Sequence, residues 1–211
     1  MLYQSLFPQL ADKKWVEVNL NALAEKAFPI ETYPENPLLD PAECGRMLAE
    51  VAEILGADYT YGGYLEDRRH LWRGHYQPQD ECVHLGIDFN VPAGTIIHAP
   101  SEGIIWAFHN DQDQNGGWGN KVYQRLKDER YYVIYGHLSD KQDFELGDKV
   151  MPGDPIGIVG NPNENGGWFP HLHVQIGVLP PLHDPFIVDG YGKMLDNIRE
   201  VFPDPNIILA S

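Results

Sequence analysis

Hydrophobic and polar residues follow two different rhythms along this chain. Over residues 41–55, Cys44, Met47, Leu48, Val51, Ile54 and Leu55 recur at the 3.6-residue spacing of an amphipathic helix. Asp40 supplies an N-cap, Pro41 suits the first helical position, and Gly56 closes the segment. The spacing predicts a helix over 41–55 with its apolar stripe turned to the core. Beyond His84 the runs become short and rich in β-branched and aromatic residues: 87–90, 95–98, 103–109, 120–125, 130–135 and 155–159. Clusters of Gly, Pro, Asn and Asp separate them, as between strands joined by tight turns. The sequence KDER at 127–130 marks a hairpin tip, and GDKVMPGDPIG a pair of Asp-containing turns. This pattern predicts a mainly β fold, an antiparallel sheet or open barrel, with a small helical N-terminal extension.

The flanks are less regular. Residues 1–38 are punctuated by Pro29, Pro34 and Pro37, with a short helix expected over 23–28. They are expected to wrap the main body. Residues 59–79 read as an aromatic, glycine-containing loop bordering a groove, with Arg68, Arg69 and Arg73 available to a carboxylate. A packed surface loop with solvated charges explains that composition equally well. The end of the chain is a proline-studded tail with a helix expected over 194–201. The expected organisation is an N-terminal extension (1–79), a core (80–180) and a tail packing on it (181–211). The tetrapeptide NGGW occurs at 115–118 and 165–168, but its flanks differ, so these are two similar loops rather than a repeat.

The chemistry concentrates in HLGID (84–88), YGHL (135–138) and HLHVQIG (171–177). On a strand, His171 and His173 share one face while Leu172, Val174 and Ile176 share the other. His84 and Asp88 are four apart, which suits a helix face. Gly86, Ile87, Phe89 and Pro92 argue instead for a loop running into a strand. A catalytic zinc takes three protein ligands and keeps a position open, and hydrolysis also needs a base that returns its proton to the leaving group. His84, Asp88 and His173 are the candidate ligands of one zinc per chain. His171, one pleat from His173, and His137, from a separate segment, are the candidate acid–base groups.

Composition narrows the partners. The 211 residues carry a net charge of -16, which disfavours nucleic acid and anionic membrane surfaces. No apolar run approaches the roughly 20 residues of a membrane span. No basic segment precedes a long apolar one at the N-terminus, which fits a cytoplasmic protein or a mature exported form. Cys44 and Cys82 form no CxxC pair, and a buried free thiol is the expectation for Cys82.

Taken in order, these motifs resemble the lysostaphin/LytM-type zinc endopeptidases of peptidase family M23. The resemblance covers about residues 82–177 and rests on HLGIDFNVPAGTIIHAPSEGII, YYVIYGHL, GDKVMPGDPIGIVG and PHLHVQI. It implies an antiparallel sheet crossed by a groove, zinc on His84, Asp88 and His173, and catalysis by His137 and His171. The implied reaction is cleavage of peptide bonds in peptidoglycan stem or cross-bridge peptides. Where many members carry a small-residue turn before HxH, this chain has NPNENGGWFP, and Trp168 and Phe169 are expected to narrow or extend the groove.

Other readings are weaker. His70, His75, His98, His109 and His183 read as ordinary core or surface histidines. Tyr64, Arg69, Asn120 and Trp168 are candidate substrate contacts, with Tyr135 and Asn120 supporting the site by position alone. Cupins also place HxH on a strand but need a Glu shortly after it, and none follows His173 through Gly177. A non-hydrolytic zinc-containing peptide or muropeptide-binding module of the same fold is the alternative. The presence of all five functional positions favours hydrolysis.

Overall fold

The computed structural model describes residues 3–75, 80–141, 143–181 and 189–209. Residues 76–79 of the aromatic loop and 182–188 of the tail, with His183, lie outside the described residues. In chain order the elements are β1 (Trp15–Glu17), α1 (Leu20–Ala27), α2 (Pro41–Ile54), β2 (Tyr59–Gly62), β3 (Val83–His84), β4 (Ile87–Asn90), β5 (Ile96–His98), β6 (Gly103–Asp111), β7 (Gly119–Leu126), β8 (Tyr131–Leu138), β9 (Lys149–Val150), β10 (Pro155–Ile158), β11 (Leu172–Val178), β12 (Tyr191–Gly192), α3 (Ile198–Val201) and α4 (Asn206–Leu209).

Eight strands form one sheet in the order β1-β2-β4-β11-β8-β7-β6-β9, antiparallel except for the parallel β1–β2 pair. The fold is mainly β, as the rhythm of the chain implies. Strand β11 lies between β4 and β8, so both of its edges are hydrogen-bonded. Its Leu172, Val174 and Ile176 are fully buried in a core with Ile87, Phe89, Val122, Val133 and Tyr135. The opposite face carries His173 and Gln175, which is the alternation that a pleated strand imposes. Two separate pairs, β5–β10 and β3–β12, complete the β structure. The second of these sets Tyr191 opposite His84.

The helix over 41–55 forms as α2, with the Asp40 side chain accepting hydrogen bonds from the amides of Ala42 and Glu43. Its buried face is narrower than the sequence stripe, comprising Cys44, Leu48 and Ala52. Ile54 and Leu55 are exposed, because the final turn rotates past the surface it packs on. Part of the aromatic loop is also strand. Tyr59–Gly62 pairs with β4, and a Cβ on Gly62 would overlap the carbonyl of Val18, so glycine admits the neighbouring chain there.

A second cluster joins Leu20, Ala24, Leu38 and Leu48 to Trp72, Trp168 and Phe169. It packs the helices behind two tryptophans that face the histidines. No helix among the described residues is long and apolar enough to cross a membrane.

Candidate metal centre and active site

The β4–β11 register places Asp88 directly across from His173. The chain reaches this point from His84 through Leu85 and Gly86. A Cβ on Gly86 would lie 2.5 Å from both His173 Nε2 and the Val174 carbonyl, so a side chain there would displace the His173 ring or the strand. With Gly86 the His84 ring folds back, and its Nε2 comes 2.9 Å from His173 Nδ1. Asp88 Oδ1 lies 3.0 Å from His173 Nδ1 and 3.3 Å from His84 Nε2. Among the described residues, these three form a group of metal-type donors whose ligand atoms lie within 4.8 Å of one another.

The outer atoms of the three are already engaged. His84 Nδ1 is 3.0 Å from the Gly63 carbonyl, and His173 Nε2 is 3.1 Å from Gln175 Oε1. Gln175 Nε2 donates to the Asp189 carbonyl (3.4 Å), which turns its oxygen toward the histidine. Both partners are acceptors, so these outer ring nitrogens carry the protons. His84 Nε2 and His173 Nδ1 are then bare lone pairs aimed at each other, with a carboxylate oxygen beside them. Three acceptors converging on one point repel unless a cation sits among them. Two imidazole nitrogens and one carboxylate oxygen are a zinc donor set, and the residues present fit that ion.

Electrostatics agree with this assignment of protons. Burial pushes the His84 pKa down to about 3, and the nearby Arg68 charge adds to the effect while Asp88 opposes it. Burial alone would raise the Asp88 carboxyl. The Arg68 guanidinium, which donates to its Oδ2, instead holds it well below the usual carboxylate range. Near pH 7 His84 is therefore a neutral imidazole beside the Asp88 carboxylate.

His137 and His171 stand beside the cluster. Their rings are 4.1 Å apart, and His171 Nε2 is 3.9 Å from Asp88 Oδ1. His137 Nδ1 donates to the Asn165 carbonyl and His171 Nδ1 to the Phe169 carbonyl, each at 2.8 Å. Each Nε2 is therefore left as an unprotonated base. Burial lowers both pKa values, and for His137 the neighbouring His171 and His173 lower it further. His137 has φ +62, in the left-handed region. Its amide donates to the Trp118 carbonyl (2.9 Å), and its ring stacks on that indole at 6.0 Å and 14°. The cavity over these groups measures about 30 Å³ and is walled by Trp72, Trp118, Trp168 and Tyr191. That is room for one or two waters.

Of the candidate substrate contacts, Trp168 lines this cavity, its Nε1 donating to the Leu38 carbonyl. The others lie elsewhere. Tyr64 Oη donates to the Phe202 carbonyl, and Arg69 is exposed and bonded to Asp67. Asn120 is engaged with Asn110 and the Leu138 carbonyl. Tyr135 points to the opposite face of the sheet, where its hydroxyl donates to Gln124 in the core. Residues that sequence reasoning passed over include Gln175, Tyr191 and Gly63. Gln175 carried a signal, since two residues beyond His173 on a strand is the same face. Tyr191 and Gly63 carried none, because non-local pairing brings them in.

A mainly β sheet with a buried His-Asp-His cluster and two further histidines in the same cavity defines a metallopeptidase type of scaffold. Residues 82–184 match the model of peptidase family M23, and the chain carries an M23 domain over that span. It is 35% identical over 179 residues to an uncharacterized metalloprotease of Haemophilus influenzae, covering 80% of this chain and 34% of that protein. The DD-carboxypeptidase/endopeptidase Mpg of Neisseria meningitidis serogroup B is 33% identical over 106 residues, covering 50% of this chain and 20% of its own length. The peptidoglycan DD-endopeptidase ShyC of Vibrio cholerae is 31% identical over 111 residues, covering 53% and 22%. This chain thus spans about a third or less of the length of these relatives.

Proposed function

We propose that this chain is a zinc-dependent endopeptidase that hydrolyses peptide bonds in peptidoglycan stem or cross-bridge peptides. The observation that carries the reading is the pair of bare imidazole nitrogens facing each other at 2.9 Å beside Asp88 Oδ1. His84 Nε2, Asp88 Oδ1 and His173 Nδ1 would hold the zinc. When bound, zinc supplies a Lewis acid that makes water nucleophilic near neutral pH and polarises a carbonyl.

The two remaining histidines move the protons. Each presents a neutral Nε2 with its Nδ1–H anchored to a backbone carbonyl, so each can accept a proton there without turning its ring. The histidine that takes the proton from water holds it on Nε2 and returns it to the leaving amine. The tryptophan walls exclude bulk water and thereby strengthen these charge interactions. Peptidoglycan as the substrate class is supported by the name of the Vibrio relative, a peptidoglycan DD-endopeptidase.

The test is incubation of the zinc-loaded protein with purified peptidoglycan and a short peptide library, read by mass spectrometry. New peptide termini that disappear with chelator support the proposal. Binding without cleavage of either substrate would replace it with the non-hydrolytic module.

A further inference from the structure

Arg68 is among the largest fully buried side chains, and it does not line the cavity. Its guanidinium makes three polar contacts. Nη1 donates to Asp88 Oδ2 at 2.6 Å and to Tyr191 Oη at 3.1 Å, and Nε donates to Glu66 Oε2 at 3.1 Å. Glu66 is itself held through Oε1, which accepts from the Asn21 amide at 2.5 Å. A Cβ on Gly63 would overlap Arg68 Nη2 and come within 2.6 Å of His84 Nδ1, so Gly63, at φ +107, keeps open the space both side chains use. The result is a buried chain of contacts running from the backbone of α1 through Glu66 and Arg68 to one oxygen of Asp88.

We propose that Arg68 is the positioning residue of the metal centre: it occupies Asp88 Oδ2 and so leaves Oδ1 as the single carboxylate oxygen offered to the ion. The proposal rests on the reading of His84, Asp88 and His173 as zinc ligands. A carboxylate with both oxygens free can chelate a cation through both, which fills a coordination position that hydrolysis needs open. A guanidinium prevents this better than an ammonium, because its planar fork fixes the carboxylate direction while also reaching Glu66. Glu66 balances the buried positive charge, so Arg68 orients Asp88 without placing an unpaired cation beside the ion. The contact thus does for Asp88 what Gly63 and Gln175 do for the two histidines. Every ligand has its outer atom held and its inner atom free.

The test compares the full chain with two variants. Arg68→Lys keeps the charge and loses the fork. Arg68→Met combined with Glu66→Gln removes one buried charge of each sign, so it leaves the balance unchanged and does not depend on the lysine variant folding. Folding is checked by circular dichroism. Zinc affinity is measured by competition with a chelator, and Co²⁺ is titrated while the visible absorption is recorded, since intensity falls as coordination number rises. The expected result is zinc binding weakened about 10- to 100-fold and a cobalt band of reduced intensity, with one ion still bound per chain. A folded variant whose zinc affinity and cobalt spectrum both stay within about twofold of the parent overturns the proposal. Failure of the parent itself to bind either ion is a different result, which removes the ligand assignment on which this one stands.

Discussion

Replacing His137 separates the acid–base role from the metal site. The choice of substitute follows from the backbone, since His137 sits at φ +62. Alanine is less common in that region than histidine or asparagine, so its effect would mix folding with chemistry. Asparagine tolerates the left-handed region, so His137→Asn removes the imidazole while sparing the turn. His137 lies outside the group formed by His84, Asp88 and His173, and its ring contacts are Trp118, His171 and His173. Zinc content should therefore stay at one ion per chain. Loss of a general acid–base group costs about 10²- to 10⁴-fold in rate, which is about 3–5 kcal/mol of barrier. Rates on a peptidoglycan fragment, metal content by mass spectrometry and thermal denaturation together form the assay. His173→Asn is the control, and it should lose zinc and activity together. Cleavage by His137→Asn at a rate within about threefold of the parent would refute the assignment of His137 to proton transfer.

Three further outcomes follow from the same geometry. Chelation should abolish hydrolysis, and zinc returned at about 1,000 times its Kd should restore it and stabilise the fold by about 4 kcal/mol; a melting temperature indifferent to zinc would contradict this. The chelator-treated protein should lose stability as pH falls from about 6.5 toward 3, because unfolded His84 takes up a proton that its folded form, with a pKa of about 3, refuses. The slope is about 1.4 kcal/mol per pH unit for each such histidine, His137 and His171 act in the same direction, and urea midpoints unchanged between pH 6.5 and 4 would count against it. Cys44 is fully buried and its thiol is raised by burial, so a thiol reagent should label it only on unfolding; rapid labelling of Cys44 in the native state, located by peptide mapping, would show the α2 packing to be wrong.

Much of this was legible because the site is built from local alternation. HLHVQIG states its two faces outright, and β11 buries Leu172, Val174 and Ile176 while turning His173 the other way. What stayed hidden depends on pairing between distant segments. Nothing within YTYG indicates that it will extend the sheet beside β4. The arginines show the same limit. Arg68 and Arg69 are adjacent and chemically identical, yet one is buried against Asp88 and the other lies in solvent against Asp67. Composition left a groove lining and a solvated surface loop equally open for both, and only the course of the chain after Gly63 distinguishes them. Tyr135 is the converse case. Its nearness in sequence to His137 suggested a supporting role, but the pleat directs it into the core.

The two NGGW loops show how a short motif can be read correctly and still be incomplete. The sequence marks them as similar loops. The structure packs them against each other, with the Gly116 amide donating to the Gly166 carbonyl at 2.8 Å. A Cβ on Gly166 would overlap the Gly117 carbonyl, and one on Gly167 the Gln114 carbonyl, so the glycines are what allow the two backbones to touch. Each motif ends in a tryptophan, and contact between the loops carries both indoles to the histidines. Trp118 meets the rings of His137 and His173, while Trp168 meets that of His171 edge-on at 5.5 Å. The same second loop supplies the Asn165 and Phe169 carbonyls that anchor His137 and His171. One glycine-mediated contact therefore sets the walls of the cavity and the proton positions of both bases. The segment NPNENGGWFP is thus the part of the chain that orients His137 and His171.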